Sequence, residues 1–486
     1  MSRTTRRQFL EQSLFAASAA AAASAVGPQA FASSRRGRRV GPNETIQTAV
    51  IGCGGRGIGS HVNEFLNQSG VLITAVCDVD SSRSKSAVDR IDKSTGQSPR
   101  FEQDMRRIFD DKSIDVVSIA TCNHWHSLAA IWAMQAGKHV YVEKPLSHNV
   151  FEGRKAVDTA RKYDRVCQVG TQIRSNPGVI DAMKYLHDGR LGKVHLARGL
   201  CYKSRGSIGK VAGPQPVPPG IDYDLWSGPA PIKPIMREKF HYDWHWIWDY
   251  GNGDLGNQGV HQMDVARWGL GKDSLAPNVL CLGGRFGYED DGETPNTQLV
   301  FHDYGDSQLI FEVRGLKTER LLGAGVGIIF YGSEGYMVVD SYDHAAVFDK
   351  EQNLVTQFKG GGDTLHFNNF LDGVRDPGAT VLNADVLEGH LSAALCHLGN
   401  VSYRLGKPTP FDPKTKAFGD DKEAYETFGR YEKHLADNGI RMETSQYTLG
   451  RRLTLDPKRE TIPDDKEADA MLTRDYRKPY VVPAQV

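Results

Sequence analysis

The sequence predicts an α/β protein in two parts. A doubly wound parallel sheet comes first, and an α+β domain with a large open, mainly antiparallel sheet follows. Three observations carry this expectation. The 486 residues exceed one ordinary core. From Thr45 to about Gly170, strands that are apolar throughout alternate with helical segments, the pattern of a parallel sheet covered on both faces. Past Arg190 the strands become polar on one face and follow one another as hairpins.

Residues 1–32 precede the fold. Arg6-Arg7 stands before Phe9-Leu10, an alanine-rich run spans Phe15 to Val26, and "AFA" ends it at Ala32. These are the basic end, apolar middle and small-residue cleavage site of an export signal. The paired arginines and mild hydrophobicity point to the twin-arginine route, which carries folded proteins to the periplasm or another extracytoplasmic space. The apolar run is too short and too rich in alanine for a stable membrane span, so none is expected in the mature protein. A basic linker, 33–44, leads into the first domain, 45–170.

That domain opens with the strand "TIQTAVI", a glycine turn, and a helix with apolar spacing at Ile58, Val62, Phe65 and Leu66. "VLITAVCDVD" is the second strand, "IDVVSIAT" the third, "KHVYVEK" the fourth and "RVCQVGTQ" the fifth. The second domain, 171–411, starts its sheet at "GKVHLARGLCYKS". A Pro/Gly/Trp-rich segment runs from Gly213 to Gly253. "NTQLVFHDYGDSQLIFEVRG" and "GVGIIFYGSEGYMVVDS" read as hairpins, and helices near "FNNFLDGVRD" and "ADVLEGHLSAALCHLGNVSYRLG" close this part. Residues 412–486 are charged and weakly patterned, and read as an extension wrapping the surface.

Composition narrows the partners. Lys plus Arg and Asp plus Glu balance at 59 each. There is no net positive field and no basic recognition helix, so no nucleic-acid partner is expected. The seven cysteines show no metal-ligand spacing, so no metal site is expected, and they read as small apolar residues.

Gly52, Gly54 and Gly57 form G-x-G-x-x-G directly after a strand and at the start of a helix. In this setting the glycines make a tight turn, admit a pyrophosphate and let helix and strand pack closely; the helix N-terminus faces the phosphates. Arg56 and Ile58 lie in the same turn. Asp78 ends the second strand, where a carboxylate holds an adenosine ribose hydroxyl and repels a 2′-phosphate. NAD is therefore expected over NADP, although Arg83 lies nearby. Thr121, Asn123 and His126 follow the third strand, on the ligand-binding edge of such a sheet. His126 is either a helix cap or a cofactor contact. The fourth strand ends in Glu143-Lys144-Pro145. This is either a polar strand exit or an active-site lysine held beside a nicotinamide.

These elements, together with "GNGDLGNQGVHQMDVARW", resemble the glucose–fructose oxidoreductase and inositol dehydrogenase (Gfo/Idh/MocA) family over roughly Thr45 to Gly406. The resemblance implies a Rossmann domain, a second domain whose sheet often mediates homo-oligomers such as dimers or tetramers, and NAD(P)-dependent oxidation of sugar or cyclitol hydroxyls. It also implies a lysine at Lys144 beside nicotinamide and substrate, often in a cis Lys-Pro peptide, and a catalytic histidine at His261, with Gly259 and Asp264 completing that motif. An imidazole is suited to taking a hydroxyl proton. Many relatives carry Asp four residues before the histidine. This chain has Asn257, expected on the same helix face as His261. An amide binds a hydroxyl but accepts no proton, so simple dehydrogenation is put in doubt. In "FHYDWHWIWDYGNGD", Trp244, His245, Trp246, Trp248 and Tyr250 are either sugar-stacking residues or a packed crossover. Lys203, Gln172 and Arg174 are further candidates.

Three functions compete. The first is a sugar oxidoreductase with a tightly held cofactor. The second is an NAD-dependent glycoside hydrolase working by transient oxidation and elimination, which fits export and Asn257. The third is a non-catalytic sugar sensor.

Overall fold

The computed structural model describes residues 45–378, 380–412 and 415–486. The expected export signal and linker lie outside the described residues. The first sheet is built from β1 (Ile46–Ile51), β2 (Val71–Cys77), β3 (Arg100–Glu102), β4 (Val116–Ile119), β5 (His139–Val142) and β6 (Cys167–Val169). Its strands are all parallel, in the order β3-β2-β1-β4-β5-β6. The strand order reverses between β1 and β4, and there a crevice opens at the carboxyl ends of the strands. β3 is an addition to the five expected strands. It is three residues long, and Arg100 and Phe101 are exposed, so it leaves no apolar run to read. The apolar residues of β1 split to both faces: Ala49 and Ile51 join one core cluster, and Ile46 and Val50 the other.

The helix Asp363–Arg375 completes the second of these faces. Phe367, Phe370 and Leu371 bury against Val50, Phe65 and Tyr141. Phe367 stacks on Tyr141 at 4.5 Å. The sequence suggested that this helix closes the second domain. Its apolar stripe instead returns to the first.

The second sheet has eleven strands. They are β7 (Val194–Tyr202), β8 (Asn278–Gly284), β9 (Thr297–Asp303), β10 (Gln308–Arg314), β11 (Val326–Gly332), β12 (Gly335–Val339), β13 (His344–Phe348), β14 (Leu354–Lys359), β15 (Lys407–Pro410), β16 (Gln446–Leu449) and β17 (Leu453–Thr454). The order is β14-β13-β12-β11-β7-β10-β9-β8-β16-β15, with β17 beside β8. Only the β7–β10 pair is parallel. The helices Gly259–Gly269 and Val386–Arg404 fill one face, bringing Val260, Met263 and Leu395 against Ala197, Cys201 and Phe311.

The opposite face is covered by the helix Lys422–Asp437. Phe428, Tyr431 and Leu435 bury on Leu196, Leu282, Leu299 and Ile310. This revises the reading of 412–486 as a surface extension. Ala424, Phe428, Tyr431 and Leu435 make an apolar stripe at helical spacing, hidden among charged neighbours. Among the described residues no helix is long and apolar enough to cross a membrane. No group of three or more His, Cys, Asp or Glu there could hold a metal.

Candidate active site

A cavity of about 630 Å³ runs along the crevice from the glycine turn to the second domain. At its first end Gly52 has φ +91, and a Cβ there would stand 2.5 Å from the Ala120 carbonyl carbon. A Cβ on Gly57 would collide with the Gly52 oxygen. These two close approaches need glycine and leave a shallow cradle, so the turn fits a pyrophosphate. Gly52, Gly54 and Arg56 line the cavity, as does Asp78. Gly57 and Ile58 are not among the lining residues. Gly57 serves the packing, and Ile58 packs against the core on one face of the sheet.

Asp78 accepts hydrogen bonds from the backbone N–H groups of Cys53 (2.7 Å) and Asp80 (2.9 Å), one on each oxygen. Each oxygen keeps a lone pair for a ribose hydroxyl. Burial raises its pKa to about 6, against the pull of those two N–H donors. Arg83, the residue that would favour NADP, lines the same cavity, with its Nε turned to neighbouring side chains. It lies 3.6 Å from Asp80 and 3.4 Å from His241, and His241 Nε2 lies 2.9 Å from Asp80.

Midway, Glu143 ends β5 as the centre of a buried network. Arg56 Nε donates to its Oε1 at 2.6 Å, and His61 Nε2 lies 3.1 Å from the same oxygen. The carboxylate claims the Nε2 proton, so His61 Nδ1 accepts from the Ser118 hydroxyl at 2.7 Å. Burial opposes the charge on Glu143. Arg56 and His61 outweigh it and hold the carboxyl well below its ordinary range. The Lys144–Pro145 peptide is cis. His126 lines the cavity and also has a structural role: Nδ1 is 2.6 Å from the Pro145 oxygen and Nε2 is 3.0 Å from that of Thr121. Thr121 and Asn123 line the cavity, and Asn123 Oδ1 is buried without a partner.

At the far end the two domains meet. Lys144 is half-buried and donates from Nζ to the Asn257 carbonyl at 2.7 Å. Burial lowers its proton affinity, Glu143 works against that fall, and Arg56 and Lys203 add to it. His261 also lines this end. Burial, then the Lys144 charge, hold it well below the ordinary histidine value, and its Nδ1 has no hydrogen-bond partner. The ring is therefore neutral at pH 7. Asn257 and His261 face the same cavity, but not from one helix. Gly253–Asn257 and Gly259–Gly269 are separate helices that meet at Gln258. Asp264 is committed to structure: Arg174 grips both its oxygens at 2.7 and 2.9 Å. Arg174 is thus removed from the candidate site.

The aromatic segment divides. Trp244 and His245 line the cavity and stack at 3.6 Å. Burial pushes His245 to about 3, and the Lys144 charge adds to the fall. Trp248 and Tyr250 do not line it. Trp248 lies beneath the Arg404 guanidinium, and Tyr250 is buried beside Trp226, 4.6 Å away. Tyr250, in a small core with Trp226 and Phe240, and the buried Trp246 are the packed-crossover half of the expectation, while Trp244 joins that core and also lines the cavity. Gln172 and Lys203 do line the cavity. Sequence reasoning missed His61, His241, Gln258 and Tyr342. Only His61 left a signal, a polar residue on the buried face of the helix that follows the glycine turn.

Family models match most of the described chain. One, an oxidoreductase family NAD-binding Rossmann fold, covers residues 46–171. Another, an oxidoreductase family C-terminal alpha/beta domain, covers 190–433. A levoglucosan dehydrogenase of Pseudarthrobacter phenanthrenivorans is 32% identical over 178 residues, 36% of this chain and 38% of that protein. An alpha-N-acetylgalactosaminidase of Shewanella oneidensis is 30% identical over 155 residues, 31% and 34% of the two chains. The chain thus aligns with little more than a third of the length of these curated relatives. In fold it is similar to the WlbA dehydrogenase from Bordetella pertussis in complex with NADH and UDP-GlcNAcA. The TM-score is 0.56 at 20% identity, over 76% of this chain and 100% of that one. It is similar also to a levoglucosan dehydrogenase solved with NADH and levoglucosan, with TM-score 0.56 at 19% identity over 72% and 95%. The glycine turn, the Glu143-Lys144-Pro145 strand end, His261 on the shared cavity and both family models make one assignment: the chain belongs to the Gfo/Idh/MocA oxidoreductase family, with an NAD-binding Rossmann domain.

Proposed function

We propose that this chain is an NAD-dependent oxidoreductase that moves a hydride between a sugar or cyclitol hydroxyl carbon and a tightly held nicotinamide cofactor. One observation carries the reading: Lys144 of the first domain and His261 of the second converge on a cavity continuous with the glycine turn. When bound, the cofactor supplies the hydride acceptor. Gly52, Gly54 and Arg56 would hold its phosphates and Asp78 its ribose, with Thr121, Asn123, His126 and Glu143 lining the way to the reacting end. NAD is favoured over NADP because the Asp78 carboxylate lines the cavity beside the glycine turn, where it would repel a 2′-phosphate.

Lys144 gives one N–H to Asn257 and keeps two for the substrate hydroxyl. Deprotonated, it takes the hydroxyl proton as hydride leaves carbon. Neutral His261 donates its one ring N–H to the oxygen of the same hydroxyl and orients it. Because burial lowers the lysine, oxidation rises with pH along a limb below the free-lysine value of about 10.4. No acid limb from His261 is expected near 6.5, since its ring is already neutral there. Lys144→Ala and His261→Ala should each lower turnover by a factor on the order of 10² with cofactor still bound. Near-normal turnover in cofactor-loaded Lys144→Ala would sink the proposal.

A second reading, an NAD-dependent glycoside hydrolase, draws support from Asn257 and from the likeness to the galactosaminidase. The absorbance band of reduced nicotinamide separates the readings. A band that persists with sugar marks net oxidation, a transient band with aglycone release marks hydrolysis, and no response marks a sensor. Asn257→Asp should raise net oxidation if the amide suppresses it.

A further inference from the structure

One side chain at the substrate end has no part in the steps above. Gln172 follows β6 and lines the cavity. It is 7% exposed and its Oε1 is buried without a hydrogen-bond partner. Among the described residues its Nε2 has none either. A buried amide left unpaired is costly, so this one calls for a partner from the cavity. Gln258, by contrast, gives its Nε2 proton to the Tyr342 hydroxyl at 2.9 Å. The sheet order sets Gln172 beyond the lysine. From the glycine turn after β1, the strand ends run β4 with Asn123, β5 with Lys144 and β6 with Gln172. Neighbouring strands stand about 4.8 Å apart. Gln172 is therefore one strand past Lys144, on the side away from the phosphate cradle. The turn that carries it, Gln172–Ser175, is tied to the second domain. Arg174 grips Asp264 at 2.7 and 2.9 Å, one turn along the helix that carries His261. Ser175 Oγ lies 2.6 Å from His366 Nδ1, and Asn176 Nδ2 donates to the Tyr342 oxygen at 2.7 Å. Gln172 is thus held at the end of the cavity where Lys144, His261 and Tyr342 meet.

We infer that Gln172 sets specificity: its amide binds a second substrate hydroxyl, on the carbon next to the one that reacts. This rests on the sugar-oxidoreductase reading of the same site and names what the substrate must carry, a vicinal diol. A diol holds its two oxygens closer together than two neighbouring strands. A substrate whose first hydroxyl meets Lys144 and His261 therefore brings its second within reach of the next strand end. A half-turn of the amide about its last side-chain bond exchanges oxygen and nitrogen and breaks no hydrogen bond. The site can offer that hydroxyl an acceptor or a donor. The amide is also neutral. A carboxylate in its place would raise the proton affinity of Lys144, which burial keeps low.

The test is binding, read by tryptophan fluorescence because Trp244 lines the cavity, on the full cofactor-loaded chain. Methyl glucosides and methyl galactosides are titrated beside their 2-, 3- and 4-deoxy analogues. Removal of one particular hydroxyl should weaken binding about tenfold or more, because the site's amide is left unpaired. In Gln172→Met that penalty should vanish while the penalties at the other positions stay. Gln172→Glu keeps an acceptor and should retain it. Both variants should hold NAD as the unaltered chain does. Penalties unchanged at every position in Gln172→Met overturn the proposal, as does no binding of any arm. So does weakened NAD binding with sugar discrimination intact, which would give the amide to the nicotinamide carboxamide. A product whose new carbonyl is not next to the coupled position overturns it too. Coupling to Gln172 without any hydride transfer leaves the hydroxyl site standing and removes the oxidoreductase reading. Hydride transfer without coupling does the reverse.

Discussion

At the residue scale, Asp78 offers a measurable handle on the cofactor. Its pKa is raised to about 6 by burial. A ribose hydroxyl donates to the carboxylate and has less to offer the neutral acid. NAD affinity should therefore be full above pH 7 and fall as pH drops through about 6. Asp78→Asn should weaken binding at pH 7.5 and flatten that dependence; an unchanged slope in the variant would assign the titration elsewhere. Isothermal titration across pH 5–8 on cofactor-stripped protein reads both. Asp78 could be singled out from sequence because strand, turn and helix fix the position of the next strand end. Lys144 and His261 were found through motifs. The ties that tune them were not legible. Ser118–His61–Glu143 joins three distant positions, and Tyr342 enters from the end of a hairpin. Trp248 and Tyr250 misled because an aromatic-rich loop satisfies a small core and a sugar site with the same residues.

At the scale of elements, the irregular segment between β7 and the helix Gly253–Asn257 lies as a strap over the end of the cavity that Asp78 lines. Ser81 N–H donates to the Gly220 oxygen at 3.1 Å, Asp222 N–H to that of Val79 at 3.0 Å, and His241 reaches Asp80. Trp226 and Phe240 anchor the segment from beneath. The C-terminal residues pin it again. Arg477 Nε donates to the Gly228 oxygen at 2.9 Å, Tyr480 OH to Asp224 at 2.9 Å, and Tyr480 packs edge-on against Trp125 at 5.4 Å. A chain truncated after Asp475 loses the Arg477 and Tyr480 ties. Its cofactor should dissociate at least several-fold faster, as read by gel filtration of loaded protein followed by cofactor assay. Equal retention would show that the strap holds without the tail. The strand–helix alternation and the hairpins were legible because their periods are strong. The strap has no period, and the helix Lys422–Asp437 hides its apolar stripe in charge, so their partners emerge only in three dimensions.

At the scale of the whole molecule, the strap bears on where the protein works. The N-terminal sequence carries a twin-arginine pattern at Arg6-Arg7, and we propose that the mature protein acts outside the cytoplasm. Free nicotinamide nucleotide is scarce there. A dehydrogenase that released its cofactor each cycle would stall, whereas one exported folded and already loaded would not, provided a second carbonyl substrate or the same sugar takes the hydride back. The thiols are compatible with such a place. All seven cysteines are free, six are buried, and burial raises the thiol pKa of Cys53 and Cys77 well above the ordinary value and that of Cys122 to about 12. They present little thiolate to an oxidising medium. Two outcomes follow. In a host with the twin-arginine machinery, full-length protein should be recovered outside the cytoplasm without its first 32 or so residues, and Arg6→Lys with Arg7→Lys should retain it inside. The exported fraction should carry close to one nicotinamide nucleotide per chain after gel filtration. Unaltered localisation of the double variant would remove the export pathway from the proposal. Exported protein that is empty of cofactor and silent toward every sugar would remove the closed redox cycle.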